Sequence, residues 1–556
     1  MFGYVYPCYN AANEGRNRLT GCGELAMRVI KTDVVVVGSG LAGISAAVEA
    51  ARAGARVALL TAGTLCEGSS FSPHTWGLGM VSPLDLESER SRDEQSLSFA
   101  MESVGAHQNK PQLVDALMED AEPAISFLES LGATVSTPDN PGEQAYVPCF
   151  DTRVRGWHGF HAWNSREEVA FTVQSIEAVR VYEHTHALSL VQPHGVGTPV
   201  SGVVAVTGSA ITAVLVRFEA PSVVLATGGL AGVYTHSFGG CALGAAMAHD
   251  AGAVFTNLEF LQLMMGFLSY PYGTICNEKL WRWSTVTDER GQSVFSYVAA
   301  SPEDEREALE AHSWHGPFTT ARPSRLLELA VQAAVAQGHR SYLKLSDKFL
   351  AGAHPEFVDT YLSWLREKGV DPTKPVEIGL FAHSSNGGIA IDAHGATNVA
   401  GLFAAGECAG GVHGADRIGG LASVAALVFG RRAGVAAARH AREHTAQEGA
   451  RLALPFCTVD EPAAVRRQVG NLMTNNCLVN RTAEGLRSAL DELDVLEQTH
   501  LGQMYQLDDG PNALAALQAA NARSSIVAAR LMTQAMLARS ENMGSHHRAD
   551  VPERRA

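Results

Sequence analysis

The chain has 556 residues, enough for two to four domains, and its 46 % hydrophobic and 18 % charged residues suit a globular protein with a large core. Lys+Arg 42 against Asp+Glu 58 gives a net charge of -16, which argues against nucleic acid or an anionic membrane as main partner. A small anionic substrate stays open, because it needs only a local basic cluster. The nine cysteines are scattered without a C-x-x-C pair, so no metal site is signalled and reduced thiols in a cytoplasm are expected. No apolar run reaches membrane-spanning length, and the N-terminus lacks the apolar core of a secretory signal, so a cytoplasmic protein without membrane insertion is expected.

Residues 1–31 read as an N-terminal extension. The stretch from Thr32 to Leu60 then reads strand, glycine turn, helix, strand. Val34 to Val37 form an apolar run expected of a strand buried on both faces. Gly38, Gly40 and Gly43 follow at G-x-G-x-x-G spacing, and Gly54 ends the helix. The first glycine allows a sharp turn, the second close approach of a pyrophosphate, the third close packing of helix on strand. The helix start offers unpaired N–H groups and a positive dipole end, so a dinucleotide is expected. At the end of the second strand stands Thr61, where Asp or Glu usually holds the ribose. Ser69, Ser70 and the Gly77–Gly79 run suit a continuing cradle; His74 within it reads as a surface or supporting side chain rather than a covalent flavin ligand.

Residues 93–132 look helical and amphipathic, 134–165 irregular, and a helix starts near Arg166. Residues 178–218 read as strands, the latter part (VSGVVAVTGSAITAVLV) alternating with Gly turns like a β-meander. Ser222 to Gly229 (SVVLATGG) reads as a second cofactor strand ending at Gly228-Gly229, and Ala242 to Ala253 as a small-residue helix. Tryptophans and Pro-Gly turns then change the texture. The expected architecture is α/β: a split Rossmann-like domain over 32–255 and 376–438, an inserted α+β capping domain over 256–375, and a C-terminal helical domain over 439–556.

Residues 382–434 carry a resemblance. His383-Ser384-Ser385-Asn386-Gly387-Gly388, Gly401 to Glu407 (GLFAAGE), His413 to Gly420 (HGADRIGG) and Val428-Phe429-Gly430-Arg431 occur in order. This series resembles the succinate dehydrogenase, fumarate reductase and L-aspartate oxidase flavoproteins. LATGG at 225–229, NLEF at 257–260, MTNNCLVNRTAEGLRSAL at 473–490 and ARSENMGSHHRADVP at 538–552 extend it from about residue 30 to the C-terminus. The resemblance implies FAD, bound without a covalent link. It places Gly38, Gly40 and Gly43 at the pyrophosphate, Thr61 near the ribose, Ser69, Ser70 and Gly79 on the flavin side, Ala187 at the adenine and Gly228 in the second strand's turn. Glu407 would take the ribityl hydroxyls, and the helix after Gly420 would aim its positive end at the flavin ring.

The resemblance further implies hydride transfer between flavin and a carbon beside a carboxylate. His383 and Arg417 match the carboxylate clamp, with Arg417 suited to a planar bidentate contact. The proton-transferring arginine falls on Arg322 or Arg325, and Arg282 stands near the position of a second cap arginine. After NLEF-Leu261-Gln262 the family places a histidine against the substrate; here Leu263-Met264-Met265 follows. Burying a carboxylate on Met264 would be costly, so the substrate is expected to present one carboxylate to His383 and Arg417 and a less polar group to Met264. The electron acceptor stays open among oxygen, fumarate, quinone and a protein. A flavoprotein subunit of a respiratory complex and a flavin-binding protein without turnover are the competing readings.

Overall fold

A computed structural model describes residues 28–72, 78–83, 90–136, 156–160, 162–209, 211–354, 356–447, 456–505 and 513–552. Residues 1–27 and His74 lie outside the described residues.

The glycine turn sits at the centre of a five-stranded parallel sheet, ordered Leu402–Ala404, Ser222–Leu225, Val34–Val37, Val57–Leu60, Val179–Tyr182. Its strands are apolar at nearly every position because both faces are covered. The helix Leu41–Arg52 covers one face together with Leu421–Glu443, which arrives from the far end of the chain. These helices meet through small residues: a Cβ at Gly430 would overlap the Ala42 carbonyl, and one at Gly434 the Ala46 carbonyl. The second helix is long and apolar enough to span a bilayer by length and composition, contrary to the sequence expectation, yet 61 % of its most apolar window is buried in the fold. The β-meander forms a separate four-stranded sheet, Arg28–Lys31, Val214–Glu219, Gly202–Thr207, Thr185–Leu190.

The helical stretch expected over 93–132 is two helices, Arg90–Val104 and Pro111–Ser130. Ala106 and His107, both in the left-handed region at φ 50° and 56°, make the break. Within the irregular stretch, Gly156–Phe160 pairs with Leu78–Ser82 and Val135–Ser136.

The cap is built on an antiparallel sheet ordered Leu261–Phe267, Val376–Ser385, Ser341–Leu345, Ser284–Thr287. The domain boundary drawn at 376 therefore falls at the start of a strand that lies inside the cap sheet. Alternation sorts the two longest strands. Leu263, Met265 and Phe267, with Ile378, Leu380 and Ala382, enter a core with Trp281, Phe295 and Phe318. Met264 and Phe381, and then Gly266 and Gly379, pair on the opposite face. The register slips between Gln262 and Leu263, which pair with Ser384 and Ala382 and leave His383 as the extra residue of a bulge. The C-terminal helices Pro462–Asn476, Ala483–His500 and Ala513–Ala538 share the cap's core through Val469, Leu486, Ile526 and Met532.

Candidate active site

Two chain segments build a glycine-lined cradle. Gly38 has φ 109°, and a Cβ there would overlap the Ala226 carbonyl across the sheet. A Cβ at Gly43 would overlap the Gly38 carbonyl, so the helix can lie this close to the turn only with glycine. Gly40 begins the helix without a side-chain cap or an acid in the first turn, and Leu41 N donates to Ser70 Oγ at 3.3 Å. Gly420, at φ 84°, starts Leu421–Glu443 in the same uncapped way, again with no acid in the first turn. Two positive helix ends are thus left for an anion or a polarised ring to meet. Gly228 has φ 78° with open space where a Cβ would point. A Cβ at its neighbour Gly229 would overlap the carboxylate of Glu407. Glu407 Oε1 accepts the Ser385 N–H at 2.8 Å. Burial raises its pKa, opposed in part by that amide and by the charge of Arg417. A long ligand with a diphosphate and a row of hydroxyls fits this donor and acceptor set.

Other expected cofactor residues divide. Ser69 Oγ packs against Gly239, where a Cβ would overlap it, and Trp157 covers Gly79, where a Cβ would overlap the indole. Ala187 is buried in the meander opposite Ala205. Thr61 is buried, accepts from Ser39 Oγ at 2.9 Å and gives its proton to Thr64 O at 3.3 Å. That proton is used inside the fold, so Thr61 is a poorer ribose partner than its position implies.

The cap's free sheet face forms a wall. Phe238 stacks on Phe381 at 4.6 Å and 14° and meets His383 edge-on at 5.6 Å. A Cβ at Gly266 would lie 2.6 Å from the Phe238 ring, so glycine makes room for this stack. His236 and Tyr272 Oη, 2.6 Å apart, extend the wall behind Phe381. Met264 pairs with Phe381, and its methyl lies beside Gly316. Arg417 comes from the cofactor domain's loop. Burial, assisted by its charge, holds His383 and His413 down to about 3, so both imidazoles are neutral at neutral pH. The Nδ1 atom of each is buried without a hydrogen-bond partner among the described residues. Burial pushes Asp416 up to about 7, opposed by Thr319, the Arg417 amide and Gln262. Arg417 N and Gln262 Nε2 reach Asp416 Oδ1 at 3.1 and 3.3 Å.

The structure gathers His383, Arg417 and Met264 at this wall but not Arg282. The Arg282 guanidinium is stacked on Trp283 and Trp314 at 5.2 and 4.7 Å, with Nη1 3.4 Å from Glu310. Its Nε and Nη2 are buried without a hydrogen-bond partner among the described residues. Arg325 Nη1 donates to Thr320 O at 2.9 Å, and the charge of Arg322 acts on the buried His315. Sequence reasoning missed His413, although it stands inside a quoted block, and Gln262, two residues before Met264. Phe238 carried no local signal, because its partners are more than 140 residues away in the chain.

A parallel sheet with a glycine turn, a second glycine-ended strand and a cap whose sheet carries His383 and Met264 defines an FAD-dependent oxidoreductase. The chain belongs to the succinate dehydrogenase, fumarate reductase and L-aspartate oxidase flavoprotein family: residues 33–278 and 321–422 match the FAD binding domain model, and 466–556 the fumarate reductase flavoprotein C-terminal model. It is 28 % identical to a protein of Methanothermobacter marburgensis named as a subunit of the fumarate reductase (CoM/CoB), over 94 % of this chain and 95 % of that one. With the L-aspartate oxidase of Caulobacter vibrioides it shares 30 % identity over 93 % of each. The fold matches Mycobacterium smegmatis Sdh1, solved in complex with UQ1, at TM-score 0.74 and 25 % identity over 95 % of this chain and 90 % of that one. The enzyme uses FAD.

Proposed function

We propose that the enzyme transfers a hydride between FAD and a carbon beside a carboxylate, on a substrate with one carboxylate and a less polar second end. The placement of Arg417 with two neutral imidazoles, His383 standing beside Phe238 and on the strand that carries Phe381 against Met264, carries this reading. Bound FAD supplies the two-electron chemistry, held by Gly38, Gly40 and Gly43 at one end and by Glu407 and the Gly420 helix end at the other. Arg417 offers paired N–H donors to a carboxylate. His383 and His413, kept neutral, can accept or donate at their ring nitrogens without repelling that guanidinium. Phe238, Phe381 and Met264 exclude water and leave a second carboxylate unpaired, which selects against dicarboxylates. Arg322 or Arg325 holds the proton exchanged with the substrate carbon.

The test is an anaerobic screen of amino, hydroxy, enoic and dicarboxylic acids for flavin bleaching, followed by oxygen. Bleaching by monocarboxylates with apolar side chains is expected, and the reoxidation rate separates oxidase from dehydrogenase. Turnover of succinate, fumarate or L-aspartate at rates matching the best monocarboxylate would sink the pocket reading. Similarity to a protein named as part of a fumarate reductase favours a second reading, a flavoprotein that passes electrons to a partner chain. Its test is co-purification with an iron–sulfur protein.

A further inference from the structure

The C-terminal segment after the helix Ala513–Ala538 crosses back to both halves of the site. Gly544 O accepts Thr320 N at 2.8 Å and Thr320 Oγ1 at 3.2 Å, and Thr320 O in turn accepts Arg325 Nη1 at 2.9 Å. One residue on, Ser545 donates to Ala415 O from its N and its Oγ, both at 3.1 Å. Ala415 lies two residues before Arg417. Gly544 has φ 50°, and a Cβ there would overlap the Ala415 carbonyl oxygen and lie 2.7 Å from its carbon. Only glycine permits this approach.

The segment is itself fixed. His546 Nδ1 accepts from Arg481 Nη1 at 2.7 Å, and that same nitrogen reaches Glu259 O at 3.0 Å. Both side chains are buried. Arg539 Nε donates to Glu259 Oε1 at 2.6 Å, and Arg548 N to Asn542 Oδ1 at 2.6 Å. From the other side, Ala415 N donates to Gly105 O at 2.9 Å.

We propose that Gly544 and Ser545 are positioning residues, a brace that holds the Arg417 loop of the cofactor domain and the Thr320–Arg325 segment of the cap in one register. The brace rests on the assignment of Arg417 and of Arg322 or Arg325 to the substrate site. Ser545 is buried, and Gly544 packs on the Ala415 carbonyl. Each acts through a main-chain carbonyl or amide of a loop that carries an arginine.

The experiment is hydrogen–deuterium exchange on the FAD-loaded full chain, comparing wild type with Gly544→Ala and with Ser545→Ala, which removes one donor. Amides in 411–417 and 319–325 are expected to exchange together, at least tenfold faster in Gly544→Ala and less so in Ser545→Ala. Amides in 34–45 and 222–229 keep their wild-type rates, and FAD content is unchanged. The flavin midpoint potential falls in parallel. Faster exchange confined to the tail, or spread through the cofactor sheet with loss of FAD, overturns the brace. If Gly544→Ala does not fold, Ser545→Ala decides: joint acceleration of both loops supports the brace, and acceleration of neither or of one alone overturns it. Arg417→Ala with the tail intact separates the two ideas: a midpoint potential unmoved by that change sinks the role of Arg417, while coupled exchange of the two loops still supports the brace.

Discussion

Asp416→Asn should stabilise the protein in a pH-dependent way. The wild-type carboxyl is 2 % exposed and is pushed from an ordinary 3.8 to about 7. The folded state therefore binds a proton more tightly than the unfolded state, and stability is lost as pH rises from about 4 to 7. At about 1.4 kcal/mol per pH unit, ionised Asp416 costs about 4 kcal/mol at pH 8. At pH 5 the folded carboxyl is protonated and the cost falls to about 1.5–2 kcal/mol. The amide of Asp416→Asn keeps an acceptor for Arg417 N and Gln262 Nε2 and carries no charge. It also brings a donor near Gln262 Oε1, which has no hydrogen-bond partner among the described residues. Urea unfolding of the FAD-saturated proteins at pH 5 and 8 measures the difference. The variant's advantage should grow by about 2–3 kcal/mol between those pH values. An advantage independent of pH, or a more stable wild type at pH 8, would refute the assignment of a buried, proton-binding Asp416.

Gly43→Ala forces the helix Leu41–Arg52 off the Gly38 carbonyl, and overpacking of about 1–3 kcal/mol should lower FAD affinity about tenfold or more, read by flavin fluorescence on titration. Glu407→Ala leaves the Ser385 amide without its acceptor and, on the proposed binding of FAD, the ribityl hydroxyls as well; a loss of about 1.5–3 kcal/mol should appear in the same titration. Met264→His places an imidazole on the wall opposite Phe381 and should raise kcat/KM for dicarboxylates about tenfold relative to monocarboxylates, measured in competition. An unchanged ratio would show that Met264 does not face the substrate. His383 and His413 are held at about 3, below an ordinary 6.5, so the stability they contribute is present above pH 6.5 and is lost as pH falls toward 3. His383→Gln should flatten that acid limb in thermal melts between pH 4 and 6.5.

What was legible in the chain was mostly local. Gly38, Gly40 and Gly43 declare their turn because strand, loop and helix are contiguous and each glycine answers one close approach. The long helix after Gly420 and the strand at Ser222 were equally plain. The break at Ala106 and His107 was not: alanine favours helix, and a single histidine is only a weak signal of a left-handed backbone. Val376–Ser385 reads as one more apolar strand beside the cofactor motifs, and nothing in its sequence says that its hydrogen bonds go to the cap. His383 was found by its motif, but the bulge that aims it depends on the register with Gln262. Arg282 has the residue type for a substrate clamp, and nothing local in its sequence shows that Trp283 and Trp314 flank its guanidinium and that Glu310 meets Nη1.

The strand Val376–Ser385 has a mechanical consequence. It carries Phe381 on the wall, His383 in the bulge and, at its last residue, the amide that binds Glu407. Any movement of this strand is tied to the cofactor domain through the Ser385–Glu407 hydrogen bond. Rotation of the strand about its far end would lever the Ser385 amide away from Glu407 and change the charge balance beside the flavin. On the proposed site, one strand of ten residues would couple the substrate pocket to the redox centre.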